Sequence, residues 1–144
     1  MSFDISKLAV EDTATLHLKD AKGELLYADA ERKKPLRITL YGPGSDVFGV
    51  VEGRQTARSL KRLQEDGKVT AAPHEDRIKE AAEDLAAITA GFENISYGAD
   101  PAQKLEGQKL FIAVYGDPKL GFIAKQARQF VADWGNFTRG SSAT

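Results

Sequence analysis

The sequence predicts a small α+β domain, and three observations carry that prediction. Short runs of β-forming residues fill the stretch up to Tyr41, and apolar residues at helical spacing fill the remainder. No strand–helix–strand alternation links the two. Segregated elements predict a small N-terminal antiparallel sheet of about three strands, followed by about four α-helices packed as a bundle. They argue against a nucleotide-binding α/β fold. A length of 144 residues suits one domain. It is expected over residues 1–137, with residues 138–144 a small, polar, disordered tail.

The strands come first. Thr13 to Lys19 alternates, with Ala14, Leu16 and Leu18 on one face and Thr15 and His17 on the other, polar face. Leu25 to Tyr27 is a second short strand. Asp20-Ala21-Lys22-Gly23 between them is turn chemistry, with Gly23 supplying a positive φ. Arg37 to Tyr41 is a third strand, and Pro35 precedes it where a missing N–H costs little. The polar run Ala28 to Lys34 is expected to be an exposed, mobile loop.

Gly42-Pro43-Gly44-Ser45 ends the strands, and Ser45 caps a helix over Asp46 to Glu65. Val47, Val50, Val51, Ala57, Leu60 and Leu63 form its apolar stripe, and Asp66-Gly67 stops it. A second helix follows Pro73, with Ile78, Ala82, Leu85, Ile88 and Phe92 at three- and four-residue steps. A third is expected from Ala102 to Tyr115, ended by Gly116. The fourth is the best specified: Asp117 as N-cap, Pro118 in the first position, and a stripe of Leu120, Ile123, Ala124, Ala127, Phe130, Val131 and Trp134, stopped by Gly135.

Composition narrows the function. With no cysteine, thiolate nucleophiles, disulfides and iron–sulfur clusters are out. A net charge of -1 gives no global reason to expect a nucleic acid or a membrane surface. The opening Met1 to Ile5 lacks the basic start and apolar core of a secretion signal, so an intracellular protein is expected. The sequons at Asn94 and Asn136 are then chance. The two histidines, His17 and His74, are distant in sequence, and neither adjoins a convincing nucleophile or a metal-ligand pattern. Gly42 to Ser45 is a glycine-rich strand-to-helix turn, but it lacks a lysine and has neither phosphate-binding spacing. A capped turn explains it. No catalytic, cofactor-binding or metal-binding residue is therefore expected, and no enzymatic activity.

Candidate protein-binding residues remain. Arg54, Arg58, Lys61 and Arg62 share one face of the first helix, while the second carries Glu75, Asp76, Glu80, Glu83 and Asp84. The basic stripe can meet a partner, or the two faces can neutralise each other within one chain or between copies. Nucleic acid is the least favoured partner. Trp134 and Phe137 lie at the end of the fourth helix, and large aromatics are favoured interface anchors. Trp134 is expected to be mostly core, in register with Phe130 and Val131. Phe137, beyond Gly135, is expected to be the exposed anchor.

Several segments together resemble the tail assembly chaperones of long-tailed bacteriophages. They are Phe3 to Leu8, Asp12 to Leu18, Ile38 to Ser45, Phe92 to Ile95, Asp117 to Ile123 and Asp133 to Phe137. They are turns and core positions spread over nearly the whole length. The resemblance implies a non-enzymatic factor in the host bacterial cytoplasm that coats the tape measure protein and brings tail tube subunits to it, with homo-oligomers possible. The first helix opens on Val47-Phe48-Gly49-Val50-Val51, more apolar than the charged surface usual in that family. That keeps a second role open: a permanent virion component such as a connector or tail-terminator ring subunit.

Overall fold

A computed structural model describes residues 1–66 and 74–139. Strands β1 (Thr13–His17), β2 (Arg37–Tyr41) and β3 (Thr89–Glu93) form one antiparallel sheet in the order β1–β2–β3. The described residues also form helices α1 (Asp46–Asp66), α2 (His74–Ala87), α3 (Gly107–Tyr115) and α4 (Gly121–Ala132). The α+β class is as expected. The expected helix stop at Gly67, the role of Pro73, the side chain of His74 and the tail from residue 140 onward lie outside the described residues.

The order of elements differs from the sequence reading, because α1 and α2 lie between β2 and β3. Phe92 was expected on the second helix. A four-residue step from Ile88 fits a strand as well as a helix, since four is a multiple of two. Local chemistry then decides. Ile88 and Thr89 are β-branched, and Gly91 is a poor helix former. The Thr89 hydroxyl donates to the Leu85 carbonyl at 2.8 Å and closes α2. Phe92 lands on the sheet opposite Ile38. There its ring meets Phe111, 4.5 Å between centroids, and Tyr115 at 5.7 Å.

Leu25 to Tyr27 forms isolated bridges rather than a full strand, Lys19 with Leu25 and Tyr27 with Pro35. Gly23 has the positive φ its turn needs, 92°. The Asp20 carboxylate accepts from the N–H groups of Lys22 and Glu24. The run Ala28 to Lys34 is largely exposed, as expected, and is folded as a turn. The Asp29 carboxylate accepts from the N–H of Lys33 and Lys34, and Ala28 N–H donates to the Lys34 carbonyl at 2.8 Å.

Ile38 and Leu40 of β2 are fully buried at the centre of the core. Over them pack Leu85 and Ala86 of α2, Phe111 and Val114 of α3, and Ile123, Ala127, Phe130 and Val131 of α4. The fourth-helix stripe is thus internal up to Val131. Asp117 and Pro118, expected to open the fourth helix, instead open a separate 3₁₀ turn, Pro118–Leu120, where the Asp117 carboxylate accepts from Lys119 N–H at 2.9 Å; α4 itself starts at Gly121, with Leu120 as its N-cap and no side-chain cap bond. The third helix starts at Gly107, later than expected. Pro101–Gln103 forms a separate 3₁₀ turn capped by Asp100, and Gly107 has φ 59°.

The expected apolar stripe of α1 is mostly wrong. Only Val51 is buried, while Val50, Leu60 and Leu63 are 73%, 53% and 39% exposed. The face of α1 toward α2 carries Gln55, Arg58 and Arg62, which places Leu60 and Leu63 away from the core. Beyond Val51, polar contacts rather than apolar packing hold α1 to the domain.

Candidate functional site

The Gly42–Ser45 turn is a packing junction. A Cβ added at Gly42 would stand 2.4 Å from the Phe137 ring, so only hydrogen fits there. Gly42 N–H donates to the Asp12 carbonyl at 2.8 Å. The Ser45 hydroxyl donates to the Gly42 carbonyl at 2.7 Å and accepts from Phe48 N–H at 3.2 Å. The serine caps α1 as the sequence predicts, and its hydroxyl is spent on that task.

The two terminal aromatics have exchanged roles. Phe137, expected as the exposed anchor, is 1% exposed, and Trp134, expected as core, is 55% exposed. The helix ends earlier than Gly135. Asp133 is already extended, with φ -100° and ψ 104°, and its carboxylate accepts from Gly135 N–H at 2.9 Å. This opens a 3₁₀ turn over Trp134–Phe137. Trp134 is thereby rotated off the α4 stripe. Phe137 swings back against Gly42 and Phe130, with 5.6 Å between the two phenyl centroids. The Phe137 carbonyl accepts from Glu11 N–H at 2.7 Å, and the Asn136 amide donates to the Phe130 carbonyl at 2.9 Å, so the turn is tied to the strands and to α4. Thr138 and Arg139, placed in the expected tail, continue it: the Thr138 hydroxyl donates to the Gly135 carbonyl and Arg139 reaches Glu11. Trp134 flanks Gly44, where a Cβ would lie 3.5 Å from its ring and 3.0 Å from Val10.

The basic stripe is neutralised within the chain. Arg54 and Arg58 both reach Asp84, at 2.9 and 3.0 Å, and Gln55 adds a third donor at 3.2 Å. Arg58 and Arg62 pair with Glu80. Burial alone would push the Asp84 carboxyl up, but the hydrogen bonds from Arg58, Arg54 and Gln55 outweigh it and hold the carboxyl below its ordinary range. The hydrogen bond from Arg58 to Asp84 in turn raises that guanidinium above its ordinary value. Lys61 does not join this ladder; it points to Glu65 on its own helix, 4.0 Å away and well exposed. Arg54, Arg58 and Arg62 therefore clamp α1 to α2, with Arg54 still half exposed. The sequence signal was present: Glu80 and Asp84 repeat the four-residue step of Arg54, Arg58 and Arg62.

The remaining polar groups inside the domain are also in structural use. His17, expected on a polar face, is buried; its Nε2 lies 2.9 Å from the Leu26 carbonyl and its ring stands edge-on to Tyr27. The Thr89 hydroxyl is committed to Leu85, so the Tyr115 hydroxyl donates to Thr89 at 2.9 Å. Burial drives the Tyr115 phenol far above its ordinary value. The Tyr97 hydroxyl donates to Asp117 at 2.8 Å and lowers that carboxyl. Asn94, the first sequon, sits at φ 62° and gives its amide to the Pro35 carbonyl. Among the described residues no three His, Asp or Glu side chains are grouped to hold a metal ion, and no helix is long and apolar enough to cross a membrane.

Several clefts open among the described residues, and two of them set α4 against α1 and α2 or against the β1 hairpin. One of about 260 Å³ lies among α1, α2 and α4, floored by Val51, Leu85 and Val131 and rimmed by Glu52 and Arg128. The other, about 510 Å³, lies between the β1 hairpin and α4. Comparisons of the chain with protein-family models, curated proteins and solved structures find no match.

Proposed function

We propose that this protein acts by binding other proteins during phage tail assembly, holding the tape measure protein and delivering tail tube subunits to it in the host cytoplasm. The observation that carries this reading is Trp134. It is a large aromatic, 55% exposed, on a turn anchored by Phe137, Asp133 and Asn136. A tryptophan presented at the surface on a hydrogen-bonded turn gives a partner apolar area. In the basic stripe that competed for this role, Arg54, Arg58 and Arg62 are paired with Asp84 and Glu80.

The apolar opening of α1 kept a virion-component role open. Val51 faces the core, Val47 and Phe48 are half-buried against it, and Val50 is exposed. Internal packing accounts for most of that segment. The test is a phage lacking this gene, together with mass spectrometry of purified wild-type particles. An assembly chaperone gives tailless heads in the mutant and no copies of the chain in finished particles. A ring subunit is recovered from particles in fixed copy number, and that result would replace the chaperone reading.

A further inference from the structure

The first nine residues are all exposed. Phe3, Ile5 and Leu8 are 66%, 72% and 63% exposed, although Ile5–Leu8 is a formed 3₁₀ turn with Asp4 as its cap. The chain is fastened just after this segment, where Val10 lies beside Gly44, Glu11 bonds to Phe137 and meets Arg139, and Asp12 bonds to Gly42. Three apolar side chains held out on an ordered turn are costly to leave in water. On the same chain, the cleft among α1, α2 and α4 presents an apolar floor that includes Phe48, Val51, Ala81, Leu85 and Val131. The segment and the cleft also match in charge. Asp4 and Lys7 take no ion-pair partner among the described residues, and neither do Arg128 and Glu52 on the cleft rim.

We infer that residues 1–9 of one copy dock in the α1–α2–α4 cleft of another, with Phe3, Ile5 and Leu8 on its floor, Asp4 facing Arg128 and Lys7 facing Glu52. A second copy is the occupant because one chain carries both complementary parts. Such a head-to-tail contact either closes into a ring or propagates. A contact this small falls below the ~1,200 Å² of ordinary specific interfaces, so association should vary with protein concentration. The inference does not rest on the chaperone reading.

Sedimentation of the full chain over a wide concentration range tests it, using two variants that each lose one half of the contact. One lacks residues 1–9. The other is Ala81→Trp, which fills the cleft from an exposed position. Wild type should self-associate and each variant alone should be monomeric. The two variants mixed should form a one-to-one heterodimer that grows no further, because each supplies what the other lacks. Far-UV circular dichroism checks that both are folded, and Phe3→Ser/Ile5→Ser/Leu8→Ser replaces the truncation if that chain does not fold. The charges give a second readout: Asp4→Lys should weaken association about 10-fold, and Arg128→Glu mixed with it should recover most of the loss. A wild-type chain that stays monomeric at all concentrations would overturn the inference. So would a truncated chain that associates like wild type, or two folded monomeric variants that do not pair.

Discussion

Gly42 and Phe137 form one packing unit, and a double-mutant cycle across them reports directly on the terminal turn. Phe137 is 1% exposed, and its removal in Phe137→Ala leaves a cavity over Gly42 and Phe130. Large-to-small changes of this kind cost about 3–5 kcal/mol, a large part of the ~5–15 kcal/mol that holds a typical domain. Gly42→Ala is the opposite error. Its φ lies outside the left-handed region, so the backbone accepts alanine, but the new methyl meets the Phe137 ring at 2.4 to 2.7 Å. Overpacking should cost about 1–3 kcal/mol. With the ring gone the methyl enters the vacated space, and the Gly42→Ala penalty should vanish or change sign. The cycle then shows a coupling of about 1–3 kcal/mol. Urea unfolding followed by far-UV circular dichroism measures all four chains. Equal Gly42→Ala penalties in the two backgrounds would mean the ring does not pack on Gly42, and the placement of the terminal turn would be wrong.

Three further outcomes are expected. Trp134→Ala should leave the melting temperature nearly unchanged while weakening partner binding by about 1–2 kcal/mol or more; a large drop in melting temperature would return Trp134 to the core. Asp84→Asn should destabilise the domain by about 1–2 kcal/mol in urea, less than a fully buried pair, because Arg54 is half exposed and can turn to water. The Asp84 carboxyl is depressed in the fold, so its stabilisation is complete above the unfolded value of about 3.9 and is lost as pH falls through the folded value. Wild type and Asp84→Asn should therefore converge in stability at the acid end of a pH series, and a gap that widens on acidification would contradict this.

Much of the fold was legible because several signals agreed at each place. The apolar stripe after Asp117-Pro118 gave the buried face of the fourth helix, although that pair caps the 3₁₀ turn before it, and Ser45 after Gly42-Pro43-Gly44 gave the cap of α1. What misled was degeneracy. Ile88 and Phe92 satisfy the helical and the strand period together, and only the Thr89 bond to Leu85 decides between them. Trp134 continues the α4 stripe arithmetically, but Asp133 leaves the helix first and caps its own turn. Gly135 reads as the stop, but Asp133 ends the helix two residues sooner, which turns Trp134 outward and Phe137 inward. The arginine stripe was legible as one face; that α2 would meet it needed the antiparallel placement of two helices, which no local pattern encodes.

Capture of partners from a co-expression strain tests the proposed function most directly. The full chain, tagged, is produced with the tape measure and tail tube proteins of the same genome, beside a Trp134→Ala chain shown to be folded. Wild type should retain both proteins and Trp134→Ala should retain distinctly less of at least one. If neither protein is retained by wild type, the assembly-chaperone function is wrong.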